Sequence, residues 1–471
     1  MKNTLIILML CLSINLWAQE NPLQLSLDEA IVYGLENNRT VQNAALEIEA
    51  AKKRKWETTT MGLPQISASI GYQNWIKQQV SLLPAAVFDP YNQIRDLGEY
   101  YNVTPNPSNP VPNAPEGFLP LRFGTKQNVS ATATLNQLLF DGSYLVGLQS
   151  AKVYLEISEN AKQKTNLEVR KGIINAYSNV LFAEENVKIL ANNKKNLEKN
   201  LLEIQKIFEN GLAEEEDVEQ LQITLLQITS SLNNTIRLKN IAYKMLNITL
   251  GNNLDKNITL TDRLDSIVLN NIVQSLGNDD FNINENIDYK IAENNEKSKE
   301  LLLKLEKSKG LPTLSAFING GYTGNNDEFK FLDSDQRWFG SSLFGVSLNV
   351  PIFSSLGRSA ATQRAKINFE KAKIDLTEAE QKIQLELATA KSNYQFSIED
   401  YTTSKQNLTL AERIENKNQI KYKEGLASSF ELREAQMQLY SAQQNYLQTM
   451  VSVINSKANL ESILKSNSII N

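Results

Sequence analysis

The sequence predicts a mixed α and β membrane protein in which four strands per protomer contribute to a trimeric, twelve-stranded β-barrel and long coiled helical hairpins form a tube. An internal repeat, four alternating strands and two very long helical segments predict this fold. The repeat is clearest at Gly211-Leu212, which recurs as Gly425-Leu426. The same displacement along the chain carries Ala151-Lys152 onto Ala365-Lys366. Self-similarity on this scale indicates one supersecondary unit that is used twice.

The first residues are typical of an export signal. Lys2 precedes an apolar run from Leu5 to Leu16, and we predict a signal peptide over residues 1–18, with cleavage after Ala18. The single cysteine, Cys11, lies inside it, and the chain has no histidine. This excludes disulfides, cysteine nucleophiles, histidine bases and most zinc or copper sites from the mature chain. We therefore predict no enzyme, no cofactor and no metal site.

The net charge of −5 at pH 7 also argues against nucleic acid as a partner, because a nucleic-acid-binding protein needs a basic surface.

Each repeat is predicted to contain two strands. The first repeat, residues 19–251, begins with an entry helix and has strands at about 64–75 and 127–140. An equatorial linker follows at 252–283. The second repeat, residues 284–471, has a helix, strands at about 312–322 and 343–353, a hairpin and a C-terminal tail. Apolar and polar residues alternate in all four strands, as in Ile66, Ala68, Ile70 and Tyr72 against Ser67 and Ser69.

These strands could form a half-buried soluble sheet or a membrane barrel. The alternating stretches contain no charged residue, and their polar faces carry small Ser, Thr, Asn, Gln and Gly, which favours lipid on one side and a watery lumen on the other. Four strands cannot close a barrel, and an open sheet edge is forbidden in lipid. Three copies would supply twelve strands.

Two loops are expected outside the cell. The first, residues 76–126, is rich in Pro and Asn and predicts an irregular surface loop. The second, at 323–341, is shorter and polar.

The helical segments are long and have a heptad pattern. No proline occurs between residues 143 and 210. One predicted row is Ile173, Val180, Val187, Leu201 and Phe208, and a second is Ala176, Ala183, Leu190, Leu197 and Ile204. The copy is less strict, because Glu415 interrupts its apolar row and Ser397 and Ser404 make its second row polar.

Glycine is expected to end the first helix of each hairpin, at Gly211 and Gly425. Acidic residues then open the return helices, Glu214, Glu215, Glu216 and Asp217 in the first copy and Glu431 and Glu434 in the second. The helix dipole favours carboxylates at a helix N-terminus, and we interpret Glu214 to Glu216 in this way.

At these residues the chain resembles the TolC-like outer membrane efflux protein family. The resemblance rests on Leu25-Ser26-Leu27-Asp28-Glu29-Ala30, on Leu35-Glu36-Asn37-Asn38, on the two Leu-Pro-x-x-Ser strand entries and on the two Gly-Leu tips. The order and the duplication of these motifs carry the match, which covers nearly the whole mature chain.

The resemblance implies a homotrimer in the cell outer membrane, with a periplasmic helical tunnel that docks on a periplasmic adaptor bound to an inner membrane transporter. The tips Gly211, Leu212, Gly425 and Leu426 would contact that adaptor. The resemblance also implies a periplasmic entrance ring made by Glu431, Glu434 and Tyr422. Some members carry a basic residue two positions after the second tip glycine, where this chain has Ala427.

The expected function is therefore an outer membrane channel-tunnel of a tripartite efflux or type I secretion system. It would conduct substrates passively from the inner membrane pump and the adaptor to the exterior. The alternative is a periplasmic adaptor or coiled-coil scaffold without a membrane barrel, since such proteins also use long helical hairpins.

Overall fold

The computed structural model describes residues 23–103, 107–108, 110–273 and 281–464. The predicted signal peptide at 1–18 lies outside the described residues, as do parts of the first loop and of the linker and the end of the C-terminal tail. The chain divides into a helical unit and a sheet unit. The helical unit comprises Met1–Lys55, Gln149–Lys304 and Ala360–Asn471, and the sheet unit comprises Trp56–Leu148 and Leu305–Ser359. The predicted mixed α and β class is confirmed.

The described helices are α1 (Leu27–Asn37), α2 (Arg39–Thr60), α3 (Asn92–Tyr100), α4 (Gly142–Glu209), α5 (Glu215–Thr249), α6 (Leu264–Val273), α7 (Ile287–Ser308), α8 (Gly357–Lys423) and α9 (Ser429–Leu464). The described strands are β1 (Leu23–Leu25), β2 (Gln65–Asn74), β3 (Val80–Pro84), β4 (Phe118–Arg122), β5 (Gln127–Asp141), β6 (Ile258–Leu260), β7 (Thr313–Asn326) and β8 (Trp338–Asn349). None of the helices within these described ranges combines the length and the apolar content needed to cross a bilayer.

The four alternating strands form one antiparallel sheet in the order β2-β5-β7-β8. The strand register aligns their apolar positions, and one row across the sheet reads Ile66, Leu135, Ile318, Phe344. The opposite face is polar and hydrogen-bonded between strands, as between the Ser69 and Thr132 hydroxyls at 2.9 Å. Because side chains alternate between faces along a strand, this register gives the sheet one apolar and one polar face.

The sheet has two outer edges, β2 and β8. Among the residues that the structure describes, neither outer edge is paired with a further strand. All ten residues of β2 are exposed. Unpaired backbone groups along such an edge are a template for pairing with another strand.

The β-hairpin of the second repeat, formed by β7 and β8, has longer strands and a shorter loop than predicted. The predicted boundaries of 312–322 and 343–353 are replaced by Thr313–Asn326 and Trp338–Asn349, so the loop covers 327–337 instead of 323–341. Pairing of Thr323 with Phe339 and of Gly324 with Trp338 extends the ladder. At the other end, β8 stops two residues before Pro351, which has no amide hydrogen to donate.

The prediction of an irregular first loop was wrong. Strands β3 and β4 pair antiparallel over five residue pairs, from Val80 with Arg122 to Pro84 with Phe118. Helix α3 lies between them along the chain. The sequence did not reveal this two-stranded ribbon for two reasons. The segment is rich in Pro, and the two strands that pair are far apart in sequence. Residues 104–106 and 109 lie outside the described part of the loop.

Long helices of the helical unit form a layer in the order α5, α4, α9, α8. Helices α4 and α5 share an apolar cluster of Leu190, Leu197, Ile204, Val218, Leu221 and Ile228. Helix α9 follows α4, with Asn193 Nδ2 donating to Gln443 Oε1 at 2.9 Å and Arg170 paired with Glu461 at 2.9 Å. Helix α8 follows α9, because the hydroxyls of Ser404 and Thr449 lie 2.7 Å apart. Near the tips, α5 also contacts α9 directly, through Asp217 and Ser429, and Tyr422 of α8 packs against the cluster shared by α4 and α5.

The second heptad row of α4 is buried along its whole length, from Ala176 to Ile204. The first row is buried at Ile173 and Val180, but Val187 and Leu201 are only half-buried and Phe208 is exposed. In their place the seam contains Asn186, Asn193 and Asn200, all buried. The partner of α4 changes here from the apolar cluster around Ile173 to the cluster shared with α5, so a different stripe turns inward.

In the second helical hairpin, formed by α8 and α9, the polar heptad positions also lie in the contact between the two helices. Ser397 and Ser404 are buried and hydrogen-bond to Ser456 and Thr449 of α9. Glu415, which interrupts the apolar row, is half-buried. Burial raises the pKa of Glu415, and a hydrogen bond with Gln436 opposes this rise. Hydrogen bonds therefore replace apolar contacts between α8 and α9 at these levels.

A small belt follows the first hairpin. Strand β6 pairs in parallel with β1. The buried Tyr177 hydroxyl of α4 donates to the carboxylate of Asp262 and to the Leu25 carbonyl, both at 3.0 Å. Asp262 also accepts the amide of Leu27 at 2.7 Å, which fixes the start of α1. A buried tyrosine thus ties the belt to the long helix.

Candidate functional site

The two hairpin tips have the same backbone conformation. Gly211 and Gly425 have φ of +74° and +70°, in the left-handed region that glycine adopts at little cost. The amide of Leu212 donates to the Ile207 carbonyl at 3.0 Å, and the amide of Leu426 donates to the Lys421 carbonyl at 2.8 Å. These bonds define a Schellman turn at each tip. The turns leave the side chains of Leu212 and Leu426 80% and 77% exposed.

The return helices begin differently. At the start of α9, the Ser428 amide donates to Glu431 Oε2 at 2.8 Å, and the Glu431 amide donates to Ser428 Oγ at 3.2 Å. This reciprocal pair is a capping box. Helix α5 begins at Glu215, and its N-cap residue Glu214 makes no side-chain cap bond. Glu434 lies one turn further along α9 and is exposed. The carboxylate of Glu431 thus caps the helix and also supplies negative charge at the tip.

A cavity of about 610 Å³ lies between the two tips. Polar side chains from both hairpins line it, among them Asn200, Glu203, Glu214, Asp217, Tyr422 and Lys423. The Ser429 hydroxyl donates a hydrogen bond to the carboxylate of Asp217. This contact, which we call the tip latch, joins the start of α5 to the start of α9.

Tyr422 lies beside the tip latch. Its hydroxyl is buried and has no hydrogen-bond partner among the described residues. Burial, assisted by the negative charge of Asp217, raises the pKa of Tyr422 to about 12. The phenol is therefore neutral at physiological pH and can donate a hydrogen bond.

The predicted site residues fall into two groups. Tyr422 lines the cavity with Gly425, whereas Glu431 and Glu434 do not line it. Ala427 lines the cavity too, but its methyl group cannot form an ion pair. The contact between Asp217 and Ser429 was not predicted from the sequence. The internal repeat offered a signal, because Asp217 follows Gly211 at the same spacing as Glu431 follows Gly425 (217 − 211 = 431 − 425).

A family model described as outer membrane efflux protein matches residues 31–252 and 286–465. The chain belongs to the outer membrane efflux protein family. Membership confirms the predicted family and the predicted location in the outer membrane, and it identifies the protein as an efflux channel and not an enzyme. A periplasmic adaptor or coiled-coil scaffold, the alternative, does not agree with membership of an outer membrane family.

Solved structures share the fold of this outer membrane efflux protein at low sequence identity. The outer membrane protein VceC from Vibrio cholerae has a TM-score of 0.67 and 14% identity, covering 93% of this chain and 95% of its own. The CmeC outer membrane channel of Campylobacter jejuni gives 0.69 and 17%, covering 93% and 85%. The open state of the MtrE outer membrane channel of Neisseria gonorrhoeae gives 0.65 and 16%, covering 93% and 88%. No curated protein sequence gives a significant match.

Proposed function

We propose that this chain is the outer membrane channel-tunnel of a tripartite efflux or type I secretion system. Three copies would close a twelve-stranded barrel and continue into a periplasmic helical tunnel. The observation that carries the proposal is the sheet with one apolar face and two unpaired edges, β2 and β8, in the described part of the chain. In lipid such edges must be paired, and copies related by rotation can pair β8 of one with β2 of the next.

The mechanism is passive conduction with a gate at the hairpin tips. The tip latch between Asp217 and Ser429 supports a closed entrance, because it holds the second hairpin against the first. Glu431 and Glu434, repeated by threefold symmetry, would form a negative ring at this entrance, with Tyr422 beside it. Contact with the adaptor would break the tip latch and move the second hairpins outward. The inner membrane transporter would supply the energy.

The tips are suited to docking. Leu212 and Leu426 are exposed apolar side chains on two turns of the same geometry, so they present a repeated, rigid pattern to a partner. Six such turns would face the periplasm in a trimer. An apolar anchor on a rigid turn loses little conformational entropy on binding. We therefore assign adaptor contact to the tips at Gly211, Leu212, Gly425 and Leu426.

Replacing both leucines with aspartate tests this assignment in cells. Cells that carry only the variant Leu212→Asp/Leu426→Asp should accumulate a fluorescent efflux dye to the level of a strain that lacks the gene. Docking would then bury two unpaired charges against an apolar partner surface, which is unfavourable. The measurement is intracellular dye at steady state after energisation, with the amount of trimer in the outer membrane determined in parallel.

The matched control is Leu46→Asp/Leu202→Asp, which places the same charges on exposed leucines of α2 and α4 away from the tips. The control should retain trimer and efflux if only the tips dock. Wild-type efflux by the tip variant, at normal trimer levels, would contradict docking at the tips.

A further inference from the structure

An apolar segment leaves the sheet at its outer edge. It covers residues 350–356, between the end of β8 and the start of α8, and we call it the root segment. Its side chains Ile352, Phe353 and Leu356 are 89%, 81% and 74% exposed. An exposed apolar surface of this kind marks a place where a protein meets a partner or a membrane.

The root segment is held in one shape by hydrogen bonds. Arg358 donates from Nη1 to the Pro351 carbonyl at 2.9 Å and from Nη2 to the Ile352 carbonyl at 3.3 Å. Its Nε donates to Ser354 Oγ at 3.1 Å. The Gly357 amide donates to the Ser354 carbonyl at 2.8 Å. The guanidinium therefore fixes the turn while the apolar side chains remain outside it.

The turn also contains backbone strain. Ser355 and Leu356 have φ of +48° and +64°, in the left-handed region that residues with side chains rarely adopt. Glycine would take this conformation at little cost. Strained residues of this kind persist where the surrounding structure fixes them, and they cluster at functional positions. A leucine where glycine would relieve the strain indicates that its apolar side chain has a role.

The root segment lies just beyond the apolar face of the sheet. The apolar positions of β8 alternate up to Leu348, and Val350 and Ile352 continue this period of two. Strand β8 has 12 residues. At about 3.3 Å per residue and a tilt of about 35–45°, such a strand rises roughly 28–32 Å, whereas the apolar band of a membrane barrel is about 25 Å tall. The root segment therefore falls in the interfacial layer, where acyl chains meet headgroups.

Positive charge lies at the same edge of the sheet. Thr313, the first residue of β7, pairs with Asn349, the last residue of β8, so the chain enters β7 beside the root segment. Just before β7 the chain carries the exposed side chains of Lys307 and Lys309. Glu306 pairs with Lys309 at 2.7 Å and is the one acidic residue among residues 305–312.

The sequence around β8 adds no negative charge. Between Asp335 and Glu370 it contains no acidic residue, and its basic residues include Arg358. The other two strands of the sheet differ, because Glu57 precedes β2 and Asp141 ends β5. Exposed apolar side chains beside basic ones are the combination that binds an anionic lipid surface.

We propose that Ile352, Phe353 and Leu356 insert among acyl chains at the periplasmic surface of the outer membrane, and that Lys307 and Lys309 bind the headgroup phosphates of anionic phospholipids there. This inference rests on the proposed insertion of the sheet in the membrane. The occupant is lipid because the root segment continues the apolar face of the sheet and because basic side chains lie beside it. Contact with a second copy instead is one outcome of the test.

Fluorescence quenching tests the lipid contact. The full-length protein with Phe353→Cys is labelled with an environment-sensitive fluorophore and reconstituted into vesicles that contain a spin-labelled phospholipid as quencher. The control is the same label on Leu46→Cys, an exposed position of α2 that lies about 21 Å along the helix from its end at Thr60. The unsubstituted chain is the blank.

The label at position 353 should be quenched several-fold more than the label at position 46. Equally weak quenching at both positions, as when a second copy covers position 353, would overturn the proposal.

Lipid composition gives a second reading that needs no label. In vesicles of phosphatidylcholine, added phosphatidylglycerol should raise the temperature at which the trimer dissociates, and Lys307→Gln/Lys309→Gln should lose most of this shift. The matched control Lys391→Gln/Lys405→Gln, on exposed lysines further along α8, should keep it. A wild-type trimer that dissociates at the same temperature in both lipids would overturn the binding of anionic headgroups.

The possible results separate this inference from the proposed function. A trimer that conducts ions, but shows neither lipid quenching at position 353 nor an effect of phosphatidylglycerol, would overturn the lipid contact and leave the channel proposal standing. A protein that never enters the vesicles would overturn both.

Discussion

The variant Gly321→Ala should no longer form the proposed trimer, as measured by the temperature at which oligomer dissociates on denaturing gels. A methyl group at this position would lie 2.4 Å from the backbone oxygen of Ala131 and 3.0 Å from the backbone of Thr132, on the neighbouring strand β5. Backbone atoms of a paired strand cannot move aside as a flexible side chain can, so β5 and β7 must separate. Overpacking of a well-packed site typically costs about 1–3 kcal/mol, and a backbone clash between paired strands belongs at the upper end of this range or above it.

The adjacent glycine provides the control. A methyl group on Gly320 would meet nothing closer than the backbone oxygen of Ser341 at 3.9 Å, an ordinary contact. Gly320→Ala should therefore keep the wild-type dissociation temperature on denaturing gels. Equal behaviour of the two variants would show that the described pairing of β5 with β7 is not the pairing in the assembled sheet.

The second large effect is expected at the channel entrance. The double variant Glu431→Gln/Glu434→Gln should lose most of the block of single-channel conductance by divalent cations, because six carboxylates per trimer would become neutral amides. The negative potential of such a ring attracts cations, and a bound cation relieves the repulsion among the carboxylates. Glutamine can also occupy the third helical position of a capping box, so the start of α9 should survive the change.

The matched control removes the same number of charges elsewhere at the tips. Glu209→Gln/Glu424→Gln changes one exposed carboxylate beside each tip glycine. Wild-type block in this control together with relief in the ring variant would support the ring. Undiminished block in Glu431→Gln/Glu434→Gln would place the cation site elsewhere in the channel.

Local signals explain which parts of the fold were predictable. The four sheet strands are recognisable because the alternation of apolar and polar residues is visible within each strand. The tips are recognisable because a single glycine, Gly211 or Gly425, provides the left-handed backbone that each turn requires. Strands β3 and β4 were missed because neither alternates over enough residues, and each is stabilised only by the other. Strands β1 and β6 have three residues each and pair across most of the first repeat.

The site was less predictable than the fold because its contacts join distant residues. Ser429 and Asp217 are far apart in the chain, and each has an adequate local explanation near the start of a helix. Glu431 illustrates the same ambiguity, since the capping box accounts for its carboxylate without any ring. The buried Asn193 was not predictable from an apolar heptad pattern, because its place in the seam depends on Gln443, which accepts its hydrogen bond from a distant helix.

Single-channel conductance of the detergent-purified protein in a planar bilayer, after a mass measurement, decides between a trimeric channel and a protein that does not enter a membrane. A trimer that inserts and gives small, stable, cation-selective steps is the predicted result, since a closed barrel would lead into a tunnel constricted at an acidic entrance. A water-soluble monomer that never inserts would contradict the account, because the sheet that ends at β2 and β8 would then be complete without other copies.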